Sequence, residues 1–307
     1  MLRTPNVTTL GITGLALAVG ATAQADAAPV GIYSLSVARD NPNTPADERL
    51  ANIRDYDFVS GYTLRVFWSD LETSQGTYDF RVIEEAIRRT RAVGQRLNLE
   101  VLPALPSYVV SGASATYVDH RNVTTPVPRD PFAQSRFTAL HAALASYVVD
   151  DGANAPHPLN QDPTLVAVDA TPVGLNYGVR DLNNGIRNHP DYTQARYVDA
   201  VTQGVAASRS NFPNHEGFLA FFGFTDGQPG APVDQQIIQQ LAAQYNGPQQ
   251  PSLAFFIENL SDTGPAPIGM TGGTGNNLLD WTESGGTTMM QALDSWLQHS
   301  PDRDPTL

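Results

Sequence analysis

Cysteine is absent from all 307 residues. That removes thiol nucleophiles, thiolate metal ligands and disulfides together, so burial of a core has to hold the fold. Basic residues are scarce as well: 18 Lys and Arg stand against 31 Asp and Glu, a net charge of -13, and none of them form a basic run. Such a surface repels phosphate backbones, which excludes nucleic acid as an expected partner and leaves neutral molecules and polymers unopposed. No run is apolar for long enough to cross a bilayer, because Leu10 to Ala21 is too short and nothing later exceeds it; membrane insertion is not expected. The six histidines, at 120, 141, 157, 189, 215 and 299, never recur at ligand spacing, and neither an HExxH motif nor an EF-hand loop occurs. No metal or cofactor is therefore expected. A Gly-x-Ser-x-Gly elbow is missing too, and the Gly-rich loop Gly269 to Gly275 contains no Lys to hold a phosphate.

The N-terminus carries an export signature. Arg3 supplies a positive start, Leu10 to Ala21 the apolar run, and Ala23-Gln24-Ala25 or Ala25-Asp26-Ala27 the small-x-small cleavage pattern. Residues 1–27 are read as a signal peptide, 28–300 as one domain and 301–307 as a polar tail, with a secreted or periplasmic destination. The sequence does not fix an oligomeric state.

The organising stretch is Gly61 to Tyr108. Tyr62 to Phe67 is rich in β-branched and aromatic residues, as a strand is, and it hands over to a polar loop bearing Trp68, Asp70 and Glu72 and closed by Gly76. Asp79 is placed to cap a helix in which Phe80, Ile83, Ile87, Thr90 and Val93 recur at spacings of three and four. Gly94 ends it, and Leu97 to Leu102 resumes a strand in which Glu100 is the odd residue. The same alternation extends both ways. Strands are expected at Val30 to Val37, Leu165 to Val168, Val173 to Leu175, Phe218 to Phe224, Leu253 to Ile257 and Pro267 to Met270. Helices are expected at Asp47 to Tyr56, Pro131 to Tyr147, Thr193 to Ser208, Asp234 to Tyr245 and Thr287 to Leu297. Asp130 before Pro131 is the best start signal among them. Pro103 to Arg129 reads as a long connection without secondary structure, ordered as a wall beside a cleft by its aromatics. With no hairpin signal, these units predict an α/β domain with a parallel sheet, a (β/α)8 TIM barrel more than a doubly wound sheet, whose last strand is incomplete or distorted.

The run Arg65-x-x-Trp68-x-x-x-Glu72-x-x-x-Gly76-x-Tyr78-x-Phe80, followed by helix, Gly and Leu-rich strand, resembles the second β/α unit of retaining glycoside hydrolases built on the TIM barrel, particularly the beta-galactosidase-like and cellulase-like branches. Arg129-Asp130-Pro131-Phe132, with a helix ending Ala145-x-Tyr147, resembles the segment after their third strand. The resemblance implies a carbohydrate substrate, no cofactor, and two carboxyl groups at strand ends. It places a nucleophile at Glu258, and it departs from the pattern at the fourth strand: Gly174-Leu175-Asn176-Tyr177-Gly178 has Tyr where the acid/base Glu would stand.

Retaining hydrolysis needs two carboxyl groups about 5 Å apart, and inversion needs them further apart to admit a water. Glu258 directly follows Phe255-Phe256-Ile257, at the end of a strand where barrel sites lie. Asp226, in Thr-Asp-Gly, and Asp181, beside Arg180, are the candidate proton donors; an ordinary turn and a structural ion pair are their respective alternatives. A phenol near pKa 10 makes Tyr177 a poor acid. Glu100 within its strand needs a partner, for which Arg65 is the candidate, either to position a nucleophile or to fill a polar layer of the barrel. Trp68, Tyr108, Tyr117 and Trp281 suit the apolar faces of sugar rings, and Asn176 and Tyr177 complete the substrate-binding candidates. The functional expectation is a secreted glycoside-hydrolase-like protein. Its alternatives are a glycan-binding or surface-structural barrel without the acid, and a hydrolase of esters or lactones.

Overall fold

The computed structural model describes residues 33–35, 50–51, 53–54, 59–102, 104–119, 122–150, 152, 154–175, 184–220, 233–245 and 253–256. The expected leader, the strand at Pro267 to Met270, the helix at Thr287 to Leu297 and the tail lie outside the described residues. Six strands form one sheet: β1 (Tyr33–Leu35), β2 (Gly61–Phe67), β3 (Arg96–Leu102), β4 (Leu165–Asp169), β5 (Glu216–Ala220) and β6 (Leu253–Phe256). Their order in space is their order in sequence, and every neighbouring pair is parallel. Four helices supply the crossovers from β2 onward: α1 (Arg81–Ala92), α2 (Pro131–Ser146), α3 (Gln194–Asn211) and α4 (Val233–Tyr245).

That order carries an architectural consequence. A doubly wound sheet reverses direction at a switch point, so that its first strand lies in the middle. The six strands of this sheet are laid down in sequence order and show no such reversal among the described residues.

The faces of the sheet obey the period of two. Tyr62, Leu64 and Val66 of β2 and Leu97, Leu99 and Val101 of β3 join Ile83, Ala86 and Ile87 of α1 in one apolar cluster, which also takes in Phe137, Leu140 and Leu144 of α2. A second cluster joins Leu219 of β5 and Leu253 of β6 to Val198, Val201 and Val205 of α3 and to Ile237 and Leu241 of α4. The alternate residues, Thr63, Arg65 and Phe67 on β2 and Asn98, Glu100 and Leu102 on β3, therefore occupy the face away from the helices.

The helix signals act as the sequence suggests, with one shift. Asp130 accepts from Ala133 N at 2.9 Å and Thr193 from Arg196 N at 3.2 Å, each satisfying a first-turn donor. On α1 the cap position is Phe80, which has no side-chain cap; Asp79, one residue earlier, still accepts from Arg81 N at 3.2 Å.

Three readings are corrected. Antiparallel ribbons do occur, pairing Glu72–Ser74 with Thr77–Tyr78, Thr116–Val118 with Thr124–Pro126, and Val148–Val149 with His157–Pro158. The connection from Pro103 to Arg129 contains the second of these and a short helix, Ser107–Gly112. Val173 to Leu175 is a turn and not a strand: Leu175 N returns to Pro172 O at 3.3 Å, and Gly174 adopts φ +80° where a Cβ would sit 2.6 Å from Pro126 O.

Candidate active site

Neighbouring strands β2, β3 and β4 bring three ionisable side chains to the face away from the described helices, near their carboxyl ends. Arg65 and Glu100 are register partners, and Arg65 Nε donates to Glu100 Oε2 at 2.5 Å with both residues buried. One step below, Asn98 Nδ2 and Thr63 Oγ1 stand 3.5 Å apart, at the long limit of a hydrogen bond. Val168 pairs with Leu99, so the next residue of β4, Asp169, lies beside Glu100 on the same face. Asp169 is 5 % exposed. Its Oδ1 accepts from Thr171 N at 2.8 Å and Thr171 Oγ1 at 2.7 Å, while Ser208 Oγ of α3 donates to its main-chain oxygen at 3.0 Å.

Two carboxyl groups thus lie beside each other in a water-poor place, one of them, Glu100, bonded to the Arg65 guanidinium. Burial pushes the Asp169 carboxyl well above the usual carboxylate range and the charge of Glu100 pushes the same way, against the weaker pull of the Thr171 hydrogen bonds and Arg65.

A second polar network lies under the loop after β2. Glu72 is fully buried, and its carboxylate accepts from Trp68 Nε1 at 2.8 Å, Gly76 N at 2.8 Å and Arg136 Nη2 of α2 at 2.5 Å. Arg136 also donates to Tyr78 OH at 3.2 Å and Tyr108 OH at 3.3 Å and lies over the Tyr108 ring. Burial raises the Glu72 pKa, but hydrogen bonds from Gly76, Trp68, Tyr108 and Arg136 outweigh it, and the net shift is downward. These are the residues of the Trp68-x-x-x-Glu72-x-x-x-Gly76-x-Tyr78 pattern. The pattern is a fastening that ties the loop after β2 to the helix after β3.

The sequence candidates divide accordingly. Arg65 and Glu100 are brought together as a pair. Trp68 is 1 % exposed, with its ring 5.8 Å from Phe137 and its N–H spent on Glu72, so it offers no face for stacking. Tyr108 is half-buried in the same network, and Tyr117 donates to Gly174 O at 2.6 Å. Glu258, Asp181, Asp226, Asn176, Tyr177 and Trp281 lie outside the described residues. Asp169 is a site residue that sequence reasoning misses, although it directly ends the apolar run Leu165 to Val168, the same signal that singles out Glu258. A shallow surface hollow on the connections after β3 and β4, lined by Arg129, His189, Asp191 and Tyr192 among others, does not include the charged layer.

No family model matches the sequence, and no curated protein matches it. Solved structures do. The catalytic domain of beta-amylase from Paenibacillus polymyxa aligns over 87 % of this chain and 85 % of its own, at 11 % identity and a TM-score of 0.50. A GH5_18 protein from Streptomyces cattleya, solved in complex with GlcNAc, aligns over 63 % of this chain at 14 % identity and a TM-score of 0.38. Xylanase B from Clostridium stercorarium F9 aligns over 71 % of this chain and 59 % of its own at 13 % identity and a TM-score of 0.41. The alignment spans 45 % of the GH5_18 chain. At these identities the likeness is one of fold, an α/β fold with a parallel central sheet.

Proposed function

We propose that the chain is an exported carbohydrate-active hydrolase whose sheet closes as an eight-stranded β/α barrel. Residues 1–27 are its leader and 28–300 its catalytic domain. The observation that carries the reading is the buried Arg65–Glu100 pair on the strand face away from the helices, near the end of the sheet where barrel enzymes hold their chemistry. Two ionised groups are costly to bury, and one reason to retain them there is the charge that develops on a reacting molecule. The unreversed strand order and the alignment over most of both chains with the beta-amylase catalytic domain support the barrel.

In this reading Glu258 is the nucleophile or base, and a carboxyl group from the fourth or fifth unit donates the proton, for which the sequence offers Asp181 and Asp226. Arg65 and Glu100 position the reacting groups; Tyr108, Asn176, Tyr177 and Trp281 contact the sugar. A panel of soluble glycans and aryl glycosides incubated with the protein tests it, with reducing-end release as the readout. Release from at least one substrate class is the expected result. Binding of a glycan without release would favour the second reading, a barrel that holds carbohydrate without cleaving it, for which Tyr177 in the place of the acid is the motive.

A further inference from the structure

Among the described residues, the layer holds two acids, Glu100 and Asp169, and one cation, Arg65. Arg65 is bonded to Glu100, and the hydrogen bonds to Asp169 both come from Thr171 and both fall on Oδ1; among the described residues none reaches Oδ2. Among the described residues, the groups around Asp169 supply no other counter-charge. Glu100 on β3 repels its anion and Arg65 on β2 is shared with Glu100. Ser208 of α3 addresses only its main-chain oxygen. His141 of α2 lies near that same oxygen, and burial holds its imidazole down to about 4, hence neutral at working pH. Phe218, its partner on β5, brings no charge.

We propose that Asp169 is the proton-carrying group of this site, presenting Oδ2–H to a bound oxygen, with Glu100 and Arg65 as the residues that position it. The inference rests on the hydrolytic reading above for its chemistry and selects Asp169 over Asp181 and Asp226 as donor. The proton passes from Oδ2 to the departing glycosidic oxygen as the bond to the anomeric carbon breaks, leaving an Asp169 carboxylate. The water consumed in hydrolysis ends with its oxygen bonded to the anomeric carbon, as the sugar's new hydroxyl, and its released proton returns to Asp169 directly or through solvent. The raised carboxyl is what keeps a donor loaded at neutral pH.

Two measurements test it. In the first, ¹³C-labelled aspartate carboxyl signals of the whole protein are followed against pH, with Asp169→Asn identifying the relevant signal. A signal titrating well above the others is expected; one titrating in the ordinary range overturns the proposal. In the second, pH–rate profiles are compared for wild type, Asp169→Asn and the exposed control Asp199→Asn on alkyl and nitrophenyl glycosides. Asp169→Asn should lower kcat by about 100-fold or more on alkyl glycosides, far less on nitrophenyl glycosides whose leaving group needs little protonation, and should abolish the basic limb. A retained basic limb, or its loss in Asp181→Asn or Asp226→Asn instead, overturns the assignment. A high-titrating Asp169 in a protein that cleaves no glycoside would sink the hydrolytic reading and leave the proton on Asp169 supported.

Discussion

Arg136→Met is the substitution whose effect the structure fixes most closely. Arg136 is the cation of the Glu72 network, its guanidinium 2.5 Å from a carboxylate with no solvent exposure. Met keeps much of the apolar stem of the side chain and removes the charge, so Glu72 keeps its hydrogen bonds from Trp68 and Gly76 but loses its counter-ion. Breaking one side of a buried pair costs about 3–5 kcal/mol, because the remaining charge stays desolvated. Against a total stability of about 5–15 kcal/mol, that loss moves a urea midpoint visibly. Replacing both partners, Glu72→Gln with Arg136→Met, should cost less than the sum of the two single changes. The single variant also has a pH signature. The Glu72 pKa is lowered in the fold, so its contribution is present above the unfolded carboxyl value and disappears as pH falls through the folded one; Arg136→Met should flatten that acid limb. A loss below about 1 kcal/mol, the range of exposed pairs, would refute the claim that the network is a dry fastening.

Trp68→Phe keeps a ring against Phe137 and removes the indole donor to Glu72, and should cost about 1.5–3 kcal/mol in urea unfolding without altering the fold seen by far-UV circular dichroism. Asp169→Asn should have an effect that depends on pH. A carboxyl raised by folding costs nothing below its unfolded value near 3.9 and costs progressively more up to its folded value. The variant should therefore match wild type in thermal melts at pH 3.5 and exceed it at pH 8. His157 behaves in the opposite sense to Glu72: its N–H to Ala155 O and its contact with Asp162 at 2.9 Å raise its pKa against the opposing effect of burial. Its contribution is present below the unfolded value near 6.5 and lost as pH rises through the folded one. His157→Gln should remove that step from the Tm–pH curve.

The central β2–α1–β3 unit was legible because its apolar residues keep strict periods and Asp79 and Gly94 punctuate it. The helices α2 and α3 were legible from Asp130, Pro131 and Thr193, whose backbone hydrogen bonds are local. The Arg65–Glu100 pair was legible from charge alone, since a Glu inside an apolar strand must find a partner. The ribbons were not legible: their strands run two or three residues, too short for alternation to register, and they are set by their surroundings, as when Glu72 reaches forward to the Gly76 N–H. Asp169 was hidden by its neighbours. It falls in the gap between the expected strands Leu165 to Val168 and Val173 to Leu175, and the register with β3 shows that it faces Glu100. Trp68 misled in the other direction: its expected loop place says nothing about how many side chains close over it, and in the structure it opens a short buried helix, Trp68–Leu71.

Whether acids at the strand ends of this parallel sheet do chemistry on sugars is the central question. The most direct measurement is the single-turnover rate of Glu258→Gln beside wild type, on whichever glycan the wild type opens, with binding followed separately by titration calorimetry. The variant is expected to bind the glycan and lose turnover by orders of magnitude. Undiminished turnover would remove Glu258 from the mechanism and the proposed chemistry with it.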